Sequence, residues 1–341
     1  MKKRNSLIFM LLPVLGILTS CFKEDERVIP VPPGDVSEVV IEMLPDYSIQ
    51  AYFNLSDGAV VSTNIKDVWD IGLSCAGEDY TLVLNTAVFI RIAHTGSDLF
   101  DVNYSSEGFE WSFDSSDGNP EENAIGRWWV STPDGPVSLN EVLLVDRGLN
   151  EDGLPAGYLK ILPTIDPANG KVSVRIAKLN GDEERTFEFT RQEGREHVVM
   201  SFDTGQLTTQ PIPAAGDWDL LFTQYTTMLF TDTGEEYPYL VTGVLINDTL
   251  VSAVMDSVMP FEQIDRATAE MMALSTRQDV IGYDWKRLKG DVTSGDVTYE
   301  AIPEMVFIIK NTDGYFFKLR FIDFYNEQGQ KGYPTFEYQK L

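Results

Sequence analysis

Cys21 is the residue whose neighbours most clearly prescribe a chemical fate. Leu18-Thr19-Ser20-Cys21 has small residues before a cysteine, the pattern of a lipobox in which the thiol is acylated and becomes the first mature residue. Thioethers offer a second kind of chemistry. Once residues 1–20 are set aside, eight methionines remain, and Met228, Met255, Met259, Met271 and Met272 fall within forty-five residues. Sulfur of this kind is a soft ligand able to hold haem iron axially, and flexible methionines also pack cores and line apolar pockets. Imidazole is nearly missing, since His94 and His197 are the only histidines. Hydrolytic triads, histidine-rich zinc sites and most general-base mechanisms therefore have little to draw on. There is no His-Glu-x-x-His, Gly-x-Ser-x-Gly, phosphate loop or Cys-x-x-Cys.

Carboxylates are abundant, and a glycosidase needs only two. Asp70 and Asp219 each follow a tryptophan at the head of an alternating run, and their recurrence reads as architecture: turn or cap residues. Asp114 to Asn119 with Glu121 and Glu122 is acidic but departs from the twelve-residue calcium loop, so it reads as a solvated turn. No catalytic residue and no metal site is nominated, and the chain reads as a non-enzyme. With Cys21 lipidated, Cys75 is the one thiol left, so no intrachain disulfide is available. Cys75 reads as a small buried hydrophobe.

The elements around these residues begin with an address. Met1-Lys2-Lys3-Arg4 and the apolar run Leu7 to Leu18 form a secretory signal over residues 1–20, too short to span a bilayer. Residues 21–37 carry the lipid-accepting Cys21, then Phe22-Lys23-Glu24-Asp25-Glu26, an acidic export-like signal, and a stiff linker with Pro30, Pro32 and Pro33. The mature chain keeps 23 basic against 53 acidic residues, a net charge of −30. Such a surface repels nucleic acid and anionic lipid faces, and no nucleic-acid partner is expected.

Runs of β-branched and aromatic residues broken by Gly and Asp turns predict an all-β fold with one or two short helices. At the end of the chain, Met305–Lys310, Tyr315–Tyr325 and Tyr333–Tyr338 alternate across turns containing Gly314 and Gly329, predicting a three-strand meander that ties the terminus into a sheet. Pro260 to Leu274 places Phe261, Ile264, Ala267, Met271 and Leu274 at helical spacing. Landmarks of the first half return in order in the second. Trp69-Asp70 answers Trp218-Asp219, Ile125-Gly126 answers Ile281-Gly282, Gly157-Tyr158 answers Gly314-Tyr315, and Arg185–Phe189 answers Pro334–Tyr338. Offsets of 149, 156 and 149 residues predict a duplicated unit of about 150, with domains at 38–194 and 195–341.

The ending Gly332-Tyr333-Pro334-Thr335-Phe336-Glu337-Tyr338, with Trp218-Asp219-Leu220, Val241-Thr242-Gly243-Val244 and Ile281-Gly282-Tyr283-Asp284-Trp285, resembles the HmuY family of bacterial surface lipoproteins. The first half matches it loosely. The resemblance implies an outward-facing protein anchored in the outer membrane through Cys21. It also implies capture of haem, or a related flat apolar ligand, in a cleft between two projecting strand pairs, with transfer to a TonB-dependent outer-membrane transporter. Family members use two histidines or two methionines as axial ligands. Here the second half has no histidine beyond His197, so the ligands implied are Met259 and Met271, with Lys286 or Lys289 to meet the propionates. Two alternatives stay open. One is a non-haem module gripping a glycan or protein through Trp128, Trp129 and tyrosines, and the other is a polysaccharide enzyme using two carboxylates.

Overall fold

The computed structural model describes residues 33–341 apart from 151–152, 232 and 292–295. The signal at 1–20, Cys21 and the tether up to residue 32 lie outside the described residues.

The alternating runs become antiparallel strands, as a period of two demands when one face is buried. One five-stranded sheet runs β1 (Ser37–Val40), β22 (Lys331–Lys340), β21 (Phe316–Tyr325), β20 (Val306–Lys310), β17 (Ser252–Asp256). A second runs β12 (Arg185–Glu188), β11 (Lys171–Lys178), β10 (Tyr158–Asp166), β9 (Leu143–Asp146), β6 (Arg91–His94). Two four-stranded sheets face them. These are β3 (Ala59–Ile65), β2 (Ile49–Asn54), β15 (Leu220–Phe230), β16 (Glu236–Ile246), and β14 (Gly205–Gln206), β13 (His197–Ser201), β4 (Ile71–Ser74), β5 (Leu82–Leu84). Two lone hairpins complete the set, β7 (Trp129–Thr132) with β8 (Gly135–Ser138), and β18 (Lys286–Asp291) with β19 (Asp296–Ala301).

The strands enclose two cores. Core one, from β4 to β14, packs Ile71, Ile92, Val145, Ile161, Val174, Met200 and Phe202. Core two, from β1 to β3 with β15 to β22, packs Phe53, Phe222, Phe307, Phe321 and Phe336 around Trp285. Adding eleven to each strand number of core one's β4 to β11 gives the strand in the same place in core two. The same step carries β1, β2 and β3 of core two onto β12, β13 and β14 of core one. The opening three strands of each eleven-strand run therefore complete the other run's core. Pro33–Leu341 accordingly form a single compact unit.

Three expectations shift in consequence. A division between residues 194 and 195 does not separate the cores, because β13 pairs with β4 and β2 with β15. Arg185–Phe189 occupies the edge place held in core two by β1, while Pro334–Tyr338 lies one strand further in, so these two stretches do not correspond. Aromatic alternation looks alike on neighbouring strands and cannot tell them apart. Pro260 to Leu274 forms a single turn of 3-10 helix at Phe261–Gln263 and one short α-helix, α1 (Arg266–Met271), capped by the Asp265 carboxylate accepting from Thr268 N. Phe261, Ile264 and Ala269 are the residues it buries, whereas Ala267 and Met271 are exposed.

The terminal meander forms as expected. Asn311 Oδ1 accepts from Tyr315 N at 2.9 Å and Gly314 takes φ 80°, closing the turn between β20 and β21. Leu341 N donates to Phe316 O. Asp70 and Asp219 are caps: Asp219 accepts from Leu55 N at 2.7 Å and Thr312 N at 2.9 Å, and Asp70 accepts from Phe202 N at 2.7 Å. Asp114, buried and bound to Leu84 N and Ala124 N, is likewise structural. No group of three or more His, Cys, Asp or Glu among the described residues is placed to hold a metal. Cys75 is half-buried against core one.

Candidate functional site

Strands β15 and β16 pair over eleven positions, from Leu220↔Ile246 at the buried root to Phe230↔Glu236 at the tip. The tip projects: Phe230 is 64% and Tyr239 53% exposed. Alternation puts Leu221, Tyr225 and Leu229 of β15 on one face with Val241 and Leu245 of β16, and Tyr283 packs against them. The second projecting pair is β18 with β19, whose Leu288 is exposed. Tyr239 of β16 lies near enough to Tyr299 of β19 to raise that phenol further after burial has raised it, so the two pairs approach one another there.

Segment 275–285 forms a floor beside β15 and β16. Gly282 exchanges backbone hydrogen bonds with Val244 at 2.9 and 3.0 Å, and Ile246 N donates to Gln278 O. Gly243 has to be glycine here, because a Cβ would drive into Gly282 O. At the junction of β16 and β18, the Lys286 ammonium donates to Thr242 O and Tyr283 O and lies 4.3 Å from the Trp285 ring centre. Burial pushes its pKa down to about 7, against the pull of Asp284. Burial also raises the Tyr225 and Tyr283 phenols, which stay protonated and can donate.

A cavity of about 370 Å³ opens between this floor, β15 and the β17–β20 pair. Its walls include Tyr225, Tyr283, Phe307 and the thioethers of Met255 and Met305. Met255 pairs with Phe307, which makes Met305 its diagonal neighbour on the same sheet face. Arg277 is the cation of the lining, held to Asp279 at 3.1 Å with its side chain 63% exposed. Asp279 also accepts from Ser116 of core one, so the floor is braced from both cores. Aromatic walls and two soft sulfurs suit a flat apolar ring, with Arg277 the one cation against Asp279 and Asp284 in the same lining, and the volume falls at the small end of the ligand-site range.

The residues nominated from sequence lie elsewhere. Met259 packs half-buried beside Phe261 and Ile264, and Met271, at the end of α1, is 81% exposed. Neither lines the cavity. Met255 and Met305 were missed, and the pairing of β17 with β20 is the signal that joins them. Lys286 is spent on backbone carbonyls, and Lys289 is paired with Glu300. His94 is held by Glu141 and Ala124 O, and His197 is packed away with its pKa pushed down to about 4 by burial. Trp128 is buried, donating to Tyr80 O, and Trp129 packs edge-on against Tyr80, so this pair forms no exposed platform.

A family model described as HmuY protein matches residues 46–338. Among solved structures, apo PinO from Porphyromonas gingivitis is 11% identical, covering 90% of this chain and 97% of its own, with a TM-score of 0.28. The apo HmuY analog of Tannerella forsythia is 11% identical, covering 92% of this chain and 98% of its own, with a TM-score of 0.23. A HmuY-like protein of Bacteroides vulgatus is 15% identical, covering 51% of this chain and 93% of its own, with a TM-score of 0.19. No curated protein matches.

Proposed function

This chain belongs to the HmuY family, and from that premise we propose that it captures haem, or a related flat apolar ligand, in the cleft of core two. The observation that carries this reading is the cavity between the β15–β16 hairpin and segment 275–285, where Met255 and Met305 share a wall with Tyr225, Tyr283 and Phe307. Thioether sulfur would hold ferric or ferrous iron, the tyrosine rings would cover the macrocycle, and Arg277 would meet a propionate. Cys21 would anchor the protein in the outer membrane, facing outward, with a TonB-dependent transporter as recipient. No described helix is long and apolar enough to cross a membrane.

The test is a haem titration of residues 22–341, followed by absorbance in oxidised and reduced states. A saturable low-spin spectrum at one haem per chain is expected, weakened by Met255→Ala and by Met305→Ala. If Met259→Ala or Met271→Ala removed it instead, the site would move to the surface around α1. A spectrum of free haem alone would overturn the reading. For the anchor, Cys21→Ser should release the protein from the membrane fraction.

A further inference from the structure

Core one holds a different cavity, of about 490 Å³, beside the loop joining β9 to β10. That loop has eleven residues, 147–157, where the matching turn of core two has five, 311–315. In core two the short turn offers the Thr312 N–H to Asp219. In core one the longer loop brings the Arg147 guanidinium instead, 3.1 Å from Asp70 and 2.9 Å from Asp203.

The wall sets Arg147, Lys178 and Arg185 against Glu183 and Asp203, and the buried Asp70 behind it evens the charge. Arg147 is matched by Asp70 and Asp203, Arg185 donates to the Asp203 carbonyl and pairs with its carboxylate, and Lys178 pairs with Glu183. An anion entering here would have to break one of these pairs, and the chain as a whole repels it. A purely apolar ligand would strip water from the same groups and return nothing. A polyhydroxylated neutral ring satisfies both sides, because each hydroxyl can donate to a carboxylate and accept from a guanidinium. The cavity also has an aromatic wall. Tyr158 lines it, is 42% exposed, and packs on Trp111 with ring centres 5.7 Å apart, while Arg91 lies 5.9 Å from the Trp111 ring. The C–H face of a sugar packs on the electron-rich face of such a ring.

We propose that this cavity binds a neutral hexose-based glycan, independently of the haem-type cleft in core two. The test is calorimetric titration of residues 22–341 with cellohexaose, maltohexaose and mannohexaose, with 3′-sialyllactose as the anionic comparator. Saturable heat with at least one neutral hexasaccharide is expected. Tyr158→Ala should weaken it roughly tenfold, Tyr158→Phe should retain it, and the haem spectrum should be unchanged in both. Asn180→Ala, at the exposed rim of the same cavity, supplies a second variant should Tyr158→Ala unfold. Absence of heat with all three neutral probes would overturn the proposal, as would binding of sialyllactose alone or equal affinity in Tyr158→Ala and the parent.

Discussion

Core one and core two place equivalent strands in the same order and solve the same buried polar problems with matching residues. Asn85 Nδ2 donates to Lys66 O and Trp69 O in one, and Asn247 Nδ2 donates to Ala215 O and Trp218 O in the other. Lys160, 1% exposed, donates to Phe100 O and Val102 O, and Lys318, 4% exposed, donates to Phe261 O and Ile264 O. We propose that the cores are copies of one eleven-strand unit. They part company in what projects from them. Core two extends β15 and β16 to eleven residues each, whereas the matching β4 and β5 have four and three. Core one instead lengthens the loop after β9. The framework is held by buried polar clasps, and the two cavities arise where an element outgrows that framework, as expected when function sits on projections from a rigid scaffold.

The sharpest way to break this comparison is to cut it where the sequence suggests. Residues 195–341 alone lack β1 to β3, so Phe336 and Tyr338 lose the edge-on ring of Phe53 and Phe222 loses its ladder partner Ala51. The fragment is expected to show no cooperative thermal transition by circular dichroism, while residues 33–341 unfold in one. A cooperative fragment would mean that the exchanged strands are dispensable.

That exchange was the least legible part of the chain. Strand existence, the terminal meander, the Trp-Asp caps and the glycine turns all follow from local alternation and from residues that tolerate positive φ, such as Gly126 at 61° and Gly282 at 64°. Partner choice does not. β2 pairs with β15 across more than 160 residues, and alternation states which face is buried without naming the neighbour. The same blindness hid the candidate site. Met255 and Met305 meet only through the β17–β20 ladder, whereas Met259 and Met271 stand out through their place before the Ile281–Trp285 landmark, in and beside a stretch that reads as one helix. The stretch breaks at Asp265, whose side chain caps a new helix.

Next in size come the caps. Asp219→Ala leaves the Leu55 and Thr312 amides without their carboxylate, and Asp70→Ala leaves Arg147 short of its buried partner. Each is expected to cost about 3–5 kcal/mol in urea unfolding. In two independent domains each variant would shift its own transition. With strands exchanged, both should shift the same one, and two separated transitions in either variant would refute the coupling. Smaller again are Lys160→Met and Lys318→Met, each orphaning two carbonyls for about 2–4 kcal/mol. If the cores are true copies, the two costs should agree within about 1 kcal/mol.

The smallest expected effect lies where the cores touch. Glu196 precedes β13 of core one and Asp248 follows β16 of core two; burial raises both carboxylates, and Asp248 raises Glu196 further against a hydrogen bond from Thr249. The Glu196 pKa stands at about 7 and that of Asp248 at about 6. In the unfolded chain they return to about 4. Between pH 4 and 7 the native state therefore holds protons that the unfolded state has released. This contribution is fully present below pH 4 and is lost as pH rises through 6 and 7. His197, beside Glu196 in sequence and facing Asp79, acts in the opposite sense: with its pKa lowered to about 4, it destabilises as pH falls below 6.5. Glu196→Gln removes the Glu196 share of the first effect and leaves the share of Asp248 and the opposing effect of His197. Because Glu196 is only half-buried, the variant should be more stable than the parent by roughly 1–2 kcal/mol at pH 8, with the difference vanishing by pH 4. Urea midpoints at the two pH values measure this directly. A constant difference across the range would show that Glu196 does not titrate where the cores meet, and that the contact between cores is indifferent to its charge.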